Sequence, residues 1–478
     1  MEAGRQADRR GEGRENGAAG DLPMFGKNGK RDLPSLGKKS GNLPNLGKTA
    51  ASPPEEENGG GGTGLLRGGA LLMAGNLFGA ACNMGFHMVA GRRLPDEEYG
   101  ALVAMLGVIL VAGKPMEAVQ NTVAHYTARF DAAGEREKIL PFVGALGRWL
   151  GWVALVLMAA ALVGGKALAG FWGPPVTPGL VLLTAAVLGG SLFMPAFNGV
   201  QQGLQAFGYM AVAPQGWGFF RLVLTWALVA AGAATAVSGM TAQGVGVLSV
   251  LAAGVWFFRR ERLPGGNRAE APAGCWRYLL ANFACLAGYG ALMNLDATLA
   301  KHYFDPVAAG VFGKAATIAR TAIFLPAPFV AVVFSKVSAA AGRRRAARAA
   351  LWQGVGLTAA FLAAVVAGCA VLPWLPWRIL YGGVPDAAGL GFAPMRLTLA
   401  MLVAQAPLAL AAMLLHYQMA RRRFAGGLAL LLCAAAYVLG VACFHRAAWQ
   451  IALCLGAANL AAFVCLLPGL RERGAAEA

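Results

Sequence analysis

Charge is what this sequence has least of. Asp, Glu, Lys and Arg make up 13% of the 478 residues, against about a quarter in soluble domains. That shortage, with a hydrophobic share of 57% and a mean hydropathy of +0.55, excludes a soluble globular chain. Paired cysteines are also missing. The eight cysteines fall within or beside apolar runs and no CxxC occurs, so neither a disulfide framework nor a zinc site is implied; buried single thiols act as small hydrophobes. The five histidines are scattered with no HExxH, and neither a Walker A sequence nor G-x-S-x-G is present. No metal, cofactor or enzymatic role follows from any motif. The first apolar run begins near residue 65, too late and without a cleavage site for a secretory signal.

What is present is apolar sequence in repeated runs of about twenty residues, each long enough to cross a hydrocarbon core of roughly 30 Å. A spanning segment must satisfy its own backbone, which leaves helices or a closed barrel. Barrel strands would alternate over about ten residues. These runs are longer and rich in Ala, Leu, Gly and Val, so the fold class is an all-α polytopic membrane protein. A window reading gives about twelve spans, near 66–90, 100–123, 141–164, 177–200, 209–236, 240–258, 277–300, 307–333, 350–374, 391–417, 424–443 and 447–468. The span at 391–417 is interrupted by Arg396, Gln405 and Pro407.

The net charge of +18 is a topology signal before it is a binding signal. With the N-terminus inside, the inward loops carry Arg129, Arg136 and Lys138, then Arg259, Arg260, Arg262 and Arg268, then Lys336, Arg343, Arg344, Arg345 and Arg348, then Arg421, Arg422 and Arg423, then Arg471 and Arg473. Outward loops carry far fewer, chiefly Arg92, Arg93, Lys166, Lys301, Arg378 and Arg446. That is the positive-inside pattern over an even number of spans, with both termini cytoplasmic. It makes nucleic acid an unneeded partner.

Residues 1–62 are polar and rich in Gly, and hold a short repeat: DLPMFGK at 21–27, DLPSLGK at 32–38 and NLPNLGK at 42–48. Pro and Gly interrupt each unit and each buries little, which predicts disorder. Two readings stand, a cytoplasmic tether held near anionic lipid and a tail with no role of its own. The basic break FFRRERLPGGNRAEAPAGCWR at 257–277 divides the spans evenly. The expected organisation is the basic tail at 1–62, a six-helix bundle at 63–262, a cytoplasmic linker at 263–274, a second six-helix bundle at 275–470 and a cytoplasmic C-terminus at 471–478. The first hairpin of each half supports a parallel repeat. RRLPDEEYGALVAMLGV at 92–108 and HYFDPVAAGVFGKAATI at 302–318 each give a polar link with a Pro and an acid, then Gly100 or Gly310 opening the next helix.

Two blocks carry a family resemblance. One is GRRLPDEEYGALVAM, after a first helix containing Asn76. The other is NLDATLAKHYFDPVAAGVFGKAATIARTAIFLPAPFVAVVFSKVS at 294–338. They resemble the polysaccharide-export branch of the multidrug/oligosaccharidyl-lipid/polysaccharide (MOP) flippase superfamily, in a G-R-x-L-x-x-x-E-Y-G link, an N-x-D-x-x-L-x-K element and an A-R-x-x-x-x-x-P helix. The resemblance covers roughly 65–470; Phe312 replaces the usual Tyr, and the long tail lies outside the pattern. It implies a flippase of a lipid-linked anionic glycan (a polyprenyl-diphosphate oligosaccharide for polysaccharide biosynthesis) in a bacterial inner membrane. It also implies membrane lipids and the glycosyltransferases or polymerase of the same pathway as partners.

Polar residues inside the spans give the candidate site. Lys114, Glu117, Asn121 and His125 recur at steps of three and four, one helical face, with Pro115 beside them. Either the stripe lines a wet cavity or Lys114 and Glu117 merely neutralise each other. Lys314, Thr317 and Arg320 share another face with no acid in that helix, and Arg221 stands alone in GWGFFRLVLTW. A cation at mid-bilayer costs about 2.5–3.5 kcal/mol on insertion scales, so unpaired cations point to an anionic partner, and the planar fork of Arg suits phosphate. The bland alternative is pairing with Glu117 or Asp296 across the bundle. Asp296 itself either pairs with Lys301 or, with Glu117, is a candidate site for a coupling ion. Asn198, Gln201, Gln202 and Gln205 make two short polar faces that either solvate the interface or contact a headgroup. The substrate-binding set is Arg221, Arg320, Lys114, Lys314, Asn76 and Asn121. A flippase working by alternating access is the expected function. The alternatives are a cation-coupled multidrug antiporter, against which the buried cations count, and a non-transport scaffold of a glycan-assembly complex.

Overall fold

A computed structural model describes residues 61–265, 274–324, 344–386, 390–421, 423–424 and 426–470. The tail repeats, the linker at 266–273, the inner end of the span expected at 307–333 and the C-terminus at 471–478 lie outside the described residues. The rest belongs to a single compact unit, Gly59–Ala478.

Each expected span holds helix. In chain order these are α1 (Gly61–Arg93), α2 (Asp96–Ala132), α3 (Ile139–Trp172), α4 (Pro178–Ser191), α5 (Met194–Gly203), α6 (Phe207–Ala230) and α7 (Ala236–Glu261). Then follow α8 (Cys275–Tyr303), α9 (Pro306–Phe324), α10 (Arg344–Val371), α11 (Leu375–Tyr381), α12 (Pro394–Ala420), α13 (Gly426–Cys443) and α14 (Ala448–Leu466). Among the described residues nine spans are long and apolar enough to cross a membrane, α4 and α5 counting as one. Three long helices miss that mark, α1, α6 and α9. They carry Asn76 and Asn83, Arg221, and Lys314 and Arg320.

Local chemistry sets the boundaries. Thr177 caps α4 by accepting the Leu180 N–H at 3.2 Å, with Pro178 at the first helical position. Thr235 caps α7 in the same way through Ser238. Asp305 caps α9, its carboxylate accepting from the N–H groups of Val307 and Ala308 at 3.1 and 3.0 Å, directly before Pro306. Such caps satisfy backbone donors that the helix itself leaves orphaned. The span expected at 177–200 is broken at Leu192–Phe193, just before Pro195, into α4 and α5. The span at 391–417 runs unbroken as α12 in spite of Arg396, Gln405 and Pro407. The short α11 in the loop after α10 has no counterpart among the expected elements.

Helices pack on one another both within and across the two halves of the sequence. α1 lies on α6, α6 on α7, α7 on α4, α4 on α3, and α5 on α2. In the second half α8 lies on α13, α13 on α14, α14 on α12, and α12 on α9 and α10. Between the halves α2 runs along α8 and crosses α9. We call the end where α1 begins the basic end and the opposite one the far end. At the far end the two glycines matched by the sequence repeat meet each other. A Cβ on Gly100 would lie 2.8 Å from the Gly310 nitrogen, and one on Gly310 would overlap the Asp96 carbonyl. Only hydrogen on both Cα atoms lets the backbones approach this closely. Arg92 adds hydrogen bonds to the carbonyls of Leu380 and Ile379 in α11.

This crossing makes a testable demand. Gly310→Val should destabilise the protein by about 1–3 kcal/mol, the usual range for overpacking. In detergent it should lower the melting midpoint well below that of Gly113→Val, whose added Cβ meets nothing within 4 Å. Equal midpoints for the two variants would contradict the tight crossing.

Candidate functional site

The polar residues of the interior form a line across the junction of the halves. Arg221 of α6 is 2% exposed. Its Nη1 donates to Gln243 Oε1 of α7 at 2.8 Å and its Nη2 donates to Asn83 Oδ1 of α1. The guanidinium carbon sits 3.9 Å from the Phe86 ring centroid and 4.3 Å from that of Trp217. Nε is buried without a partner, as is Thr225 Oγ1 one turn away. Every group that meets this cation is uncharged. Stacking on two rings offsets about 2 kcal/mol or more of desolvation, and each bond to a charged donor contributes about 1.5–3 kcal/mol. The positive charge itself is not cancelled.

Next along the line, His87 Nδ1 lies 3.2 Å from the Tyr99 hydroxyl. Tyr99 donates to Thr317 Oγ1 at 3.4 Å and shares a 3.1 Å bond with the Tyr381 hydroxyl. Both His87 and Tyr99 lie in the field of Arg221 from the first half and of Arg320 from the second. Beyond them Lys314 Nζ donates to Asp96 Oδ1 at 2.5 Å and stands over the rings of Tyr99 and Tyr381.

Lys314 and Arg320, read as unpaired cations with pairing across the bundle as the alternative, are each paired, and for Arg320 the partner is the Asp296 which that alternative named. Lys314 reaches Asp96 in α2, and Arg320 reaches Asp296 in α8. The sequence showed no acid on their own helix because both acids stand on others. Asp296 is fully buried, accepts from Arg320, and lies 3.3 Å from Gln405 Nε2. Its other expected partner, Lys301, points instead to the Pro174 carbonyl at 2.6 Å. The Arg320 charge already meets the Asp296 carboxylate. Tyr437 Oη, Asn294 Oδ1, Gln405 Oε1 and Arg320 Nε remain buried without partners in the second half.

The α2 stripe is the accessible part. Lys114 and Glu117 form a 2.6 Å ion pair, yet their side chains keep 26% and 42% of their exposure. Lys114 stands 5.7 Å from the centroid of the Tyr289 ring of α8, and His416 of α12 lies in the field of both. Asn121 and His125 are exposed further along the same face, where the His125 ring lies 6.0 Å from that of Tyr278. On α1, Asn76 is exposed and accepts from Gln215 Nε2 at 2.8 Å, beside exposed Met73, Leu77 and Phe78. α1 meets α2 only slightly. The glutamine faces of α5 are corrected. The helix stops at Gly203, and Gln205 has φ 54, so Gln205 does not share a face with Gln201. Gln201 is buried, whereas Gln202 accepts from Gln120.

Several site residues were not singled out from the sequence: Asn83, Phe86, Gln243, Asp96, Tyr99, Tyr381 and Gln405. Gln243 and Gln405 carried a signal, being amides inside apolar spans. Asp96 and Tyr99 stand in the quoted hairpin link. Tyr381 lies outside any expected span and gave none.

The architecture is a polytopic helical membrane fold, and solved structures that share this fold include transporters of the MOP superfamily. An inward-facing multidrug-resistance MATE family transporter of that superfamily matches over 82% of this chain and 93% of its own, with a TM-score of 0.67 and 13% identity. The lipid II flippase MurJ in an inward closed conformation matches over 83% and 87%, with a TM-score of 0.62 and 12% identity. A MOP superfamily transporter from Pyrococcus furiosus, described as having a binding pocket of reverse polarity, matches over 85% and 94% at 0.58 and 16%. No protein-family model matches the chain, and no curated protein does.

The Asp296–Arg320 pair yields a stability prediction. Asp296→Asn strands a buried guanidinium, and breaking one side of such a pair costs about 3–5 kcal/mol. Adding Arg320→Met should recover most of that loss in the melting midpoint. A double variant no more stable than Asp296→Asn would contradict the pairing.

Proposed function

We propose that this chain is a flippase that moves a polyprenyl-diphosphate-linked oligosaccharide from the inner to the outer leaflet. One observation carries the reading. Arg221 is a buried guanidinium met by amides and aromatic faces and by no carboxylate among the described residues. A charge kept in a low-dielectric interior with only neutral neighbours leaves a positive potential for an anion to fill, and diphosphate oxygens fit the guanidinium fork.

The headgroup would enter from the basic end, between the exposed faces of α1 and α2. On this reading Asn76 would line one wall and Lys114, Glu117 and Asn121 the other. At the far end the Gly100–Gly310 crossing, the Asp96–Lys314 pair and the tyrosine contacts close the path. Rocking of the halves would part those contacts and free Lys314 from Asp96, its partner across the junction, as the cargo phosphates replace the carboxylate. With the basic end cytoplasmic, as the positive-inside pattern has it, an inside-negative potential contributes about 2.3 kcal/mol per charge per 100 mV. Export of about two charges thus gains roughly 4–5 kcal/mol. A coupling ion is not required, and Asp296, already paired, is poorly placed to take one. Glu117, half-exposed, is the remaining candidate.

The antiporter reading has MATE transporters among the structural matches, but a cationic drug would meet Arg221 with repulsion. Reconstituted liposomes decide. A fluorescent polyprenyl-diphosphate glycan should change leaflets with wild-type protein. The rate should fall at least tenfold with Arg221→Ala, compared at equal amounts of inserted, folded protein. Arg221→Lys should restore little, because an ammonium lacks the fork and the double stack. Unchanged glycan movement in Arg221→Ala would refute the reading, and drug-stimulated ion flux without glycan movement would assign the antiporter.

A further inference from the structure

A pocket of about 260 Å³ lies at the far end, apart from the polar line. Phe171, Trp172 and Pro174 from the end of α3 face Lys301, His302 and Phe304 from the end of α8 across it. The two ends are held together locally. His302 lies flat on Phe171, ring centroids 3.8 Å apart, and its Nδ1 donates to the Phe171 carbonyl at 2.5 Å.

Lys301 is the unusual lining residue. It is 2% exposed, so it does not reach bulk water in the way interfacial lysines do. Its ammonium carries three donors. One goes to the Pro174 carbonyl at 2.6 Å, and the other two have no partner among the described residues. The carbonyl ends of α3 and α8 offset part of the charge but supply no carboxylate. The acids in its field, Asp305, Glu97 and Glu98, make no ion pair with it. Asp305 is committed to capping α9, and Glu98 accepts the Ala236 N–H at 2.7 Å. Trp172 Nε1 is a second buried donor without a partner.

We propose that this pocket binds the phosphate of an anionic ligand at the far face, with Lys301 as its counter-charge and the Trp172 indole N–H as a further donor. A lipid headgroup fits it best. α3 leads from the pocket along an apolar surface on which Phe171, Leu168, Val163 and Leu162 are exposed, and acyl chains can lie there. The site is separate from the polar line and does not depend on what the transporter carries.

The test uses the full-length protein purified in detergent. Native mass spectrometry counts the lipid retained after addition of phosphatidylglycerol or phosphatidylcholine, with inorganic phosphate as competitor. Wild type should retain phosphatidylglycerol at least fivefold more than Lys301→Gln. Lys301→Arg should keep it, as should Arg446→Gln, which removes an exposed cation at the same end. Trp172→Phe keeps the ring but loses the donor and should fall about twofold; it decides the matter if Lys301→Gln fails to fold. Displacement by millimolar phosphate would identify free phosphate as the ligand, and resistance to it the lipid headgroup. Equal retention by wild type and Lys301→Gln, by wild type and Trp172→Phe where only that variant folds, or of both lipids by wild type, would overturn the proposal. Arg221→Ala should keep the lipid, so loss of glycan transport and loss of this site are distinguishable.

Discussion

A cation cannot rest in hydrocarbon unless something meets its charge. That constraint organises the interior of this protein. Lys314 and Arg320 are met by carboxylates from other helices, Lys114 by Glu117 one turn along its own, and Arg221 by two amide oxygens and two ring faces. The first three are neutral pairs and the last keeps its charge. Because Asp96 and Asp296 lie on α2 and α8, the pairs also stitch α9 to its neighbours, and one of them spans the junction of the halves. Neutralising charge and closing the far end are the same contacts.

The same contacts explain how such a fold can move without losing its shape. One continuous apolar core runs through both halves. At the far end the junction adds to it a glycine crossing, an ion pair and hydroxyl bonds. Polar contacts can be exchanged for water or ligand at small net cost, whereas an apolar core cannot. In the proposed cycle the far end is therefore the natural place to part.

The helices were legible in the sequence because dehydration of the backbone leaves a long apolar run no other form. The repeat was legible at Gly100 and Gly310, although nothing in their surroundings told that the two touch. The site was half legible. Arg221, Arg320, Lys114 and Lys314 stand out by charge alone, but pairing is a property of helices brought together across hundreds of residues. Asp96 read as part of a loop, and Asp296 as a partner for Lys301, a coupling-ion site or a counter-charge for a buried arginine, of which the structure shows the last. Tyr381 was invisible because an aromatic in a short outer helix has no periodic signature. The α5 glutamines misled because a helical face was assumed past the point where Gln205 turns left-handed.

The central claim is that the uncancelled charge on Arg221 is kept for the phosphates of the cargo. The most direct measurement is an experimental structure of the protein bound to a short-chain isoprenyl diphosphate glycan. The account predicts phosphate oxygens within hydrogen-bonding distance of the Arg221 guanidinium, with the bonds to Asn83 or Gln243 given up. Cargo bound elsewhere, with Arg221 still clasped by those two amides between Phe86 and Trp217, would contradict it.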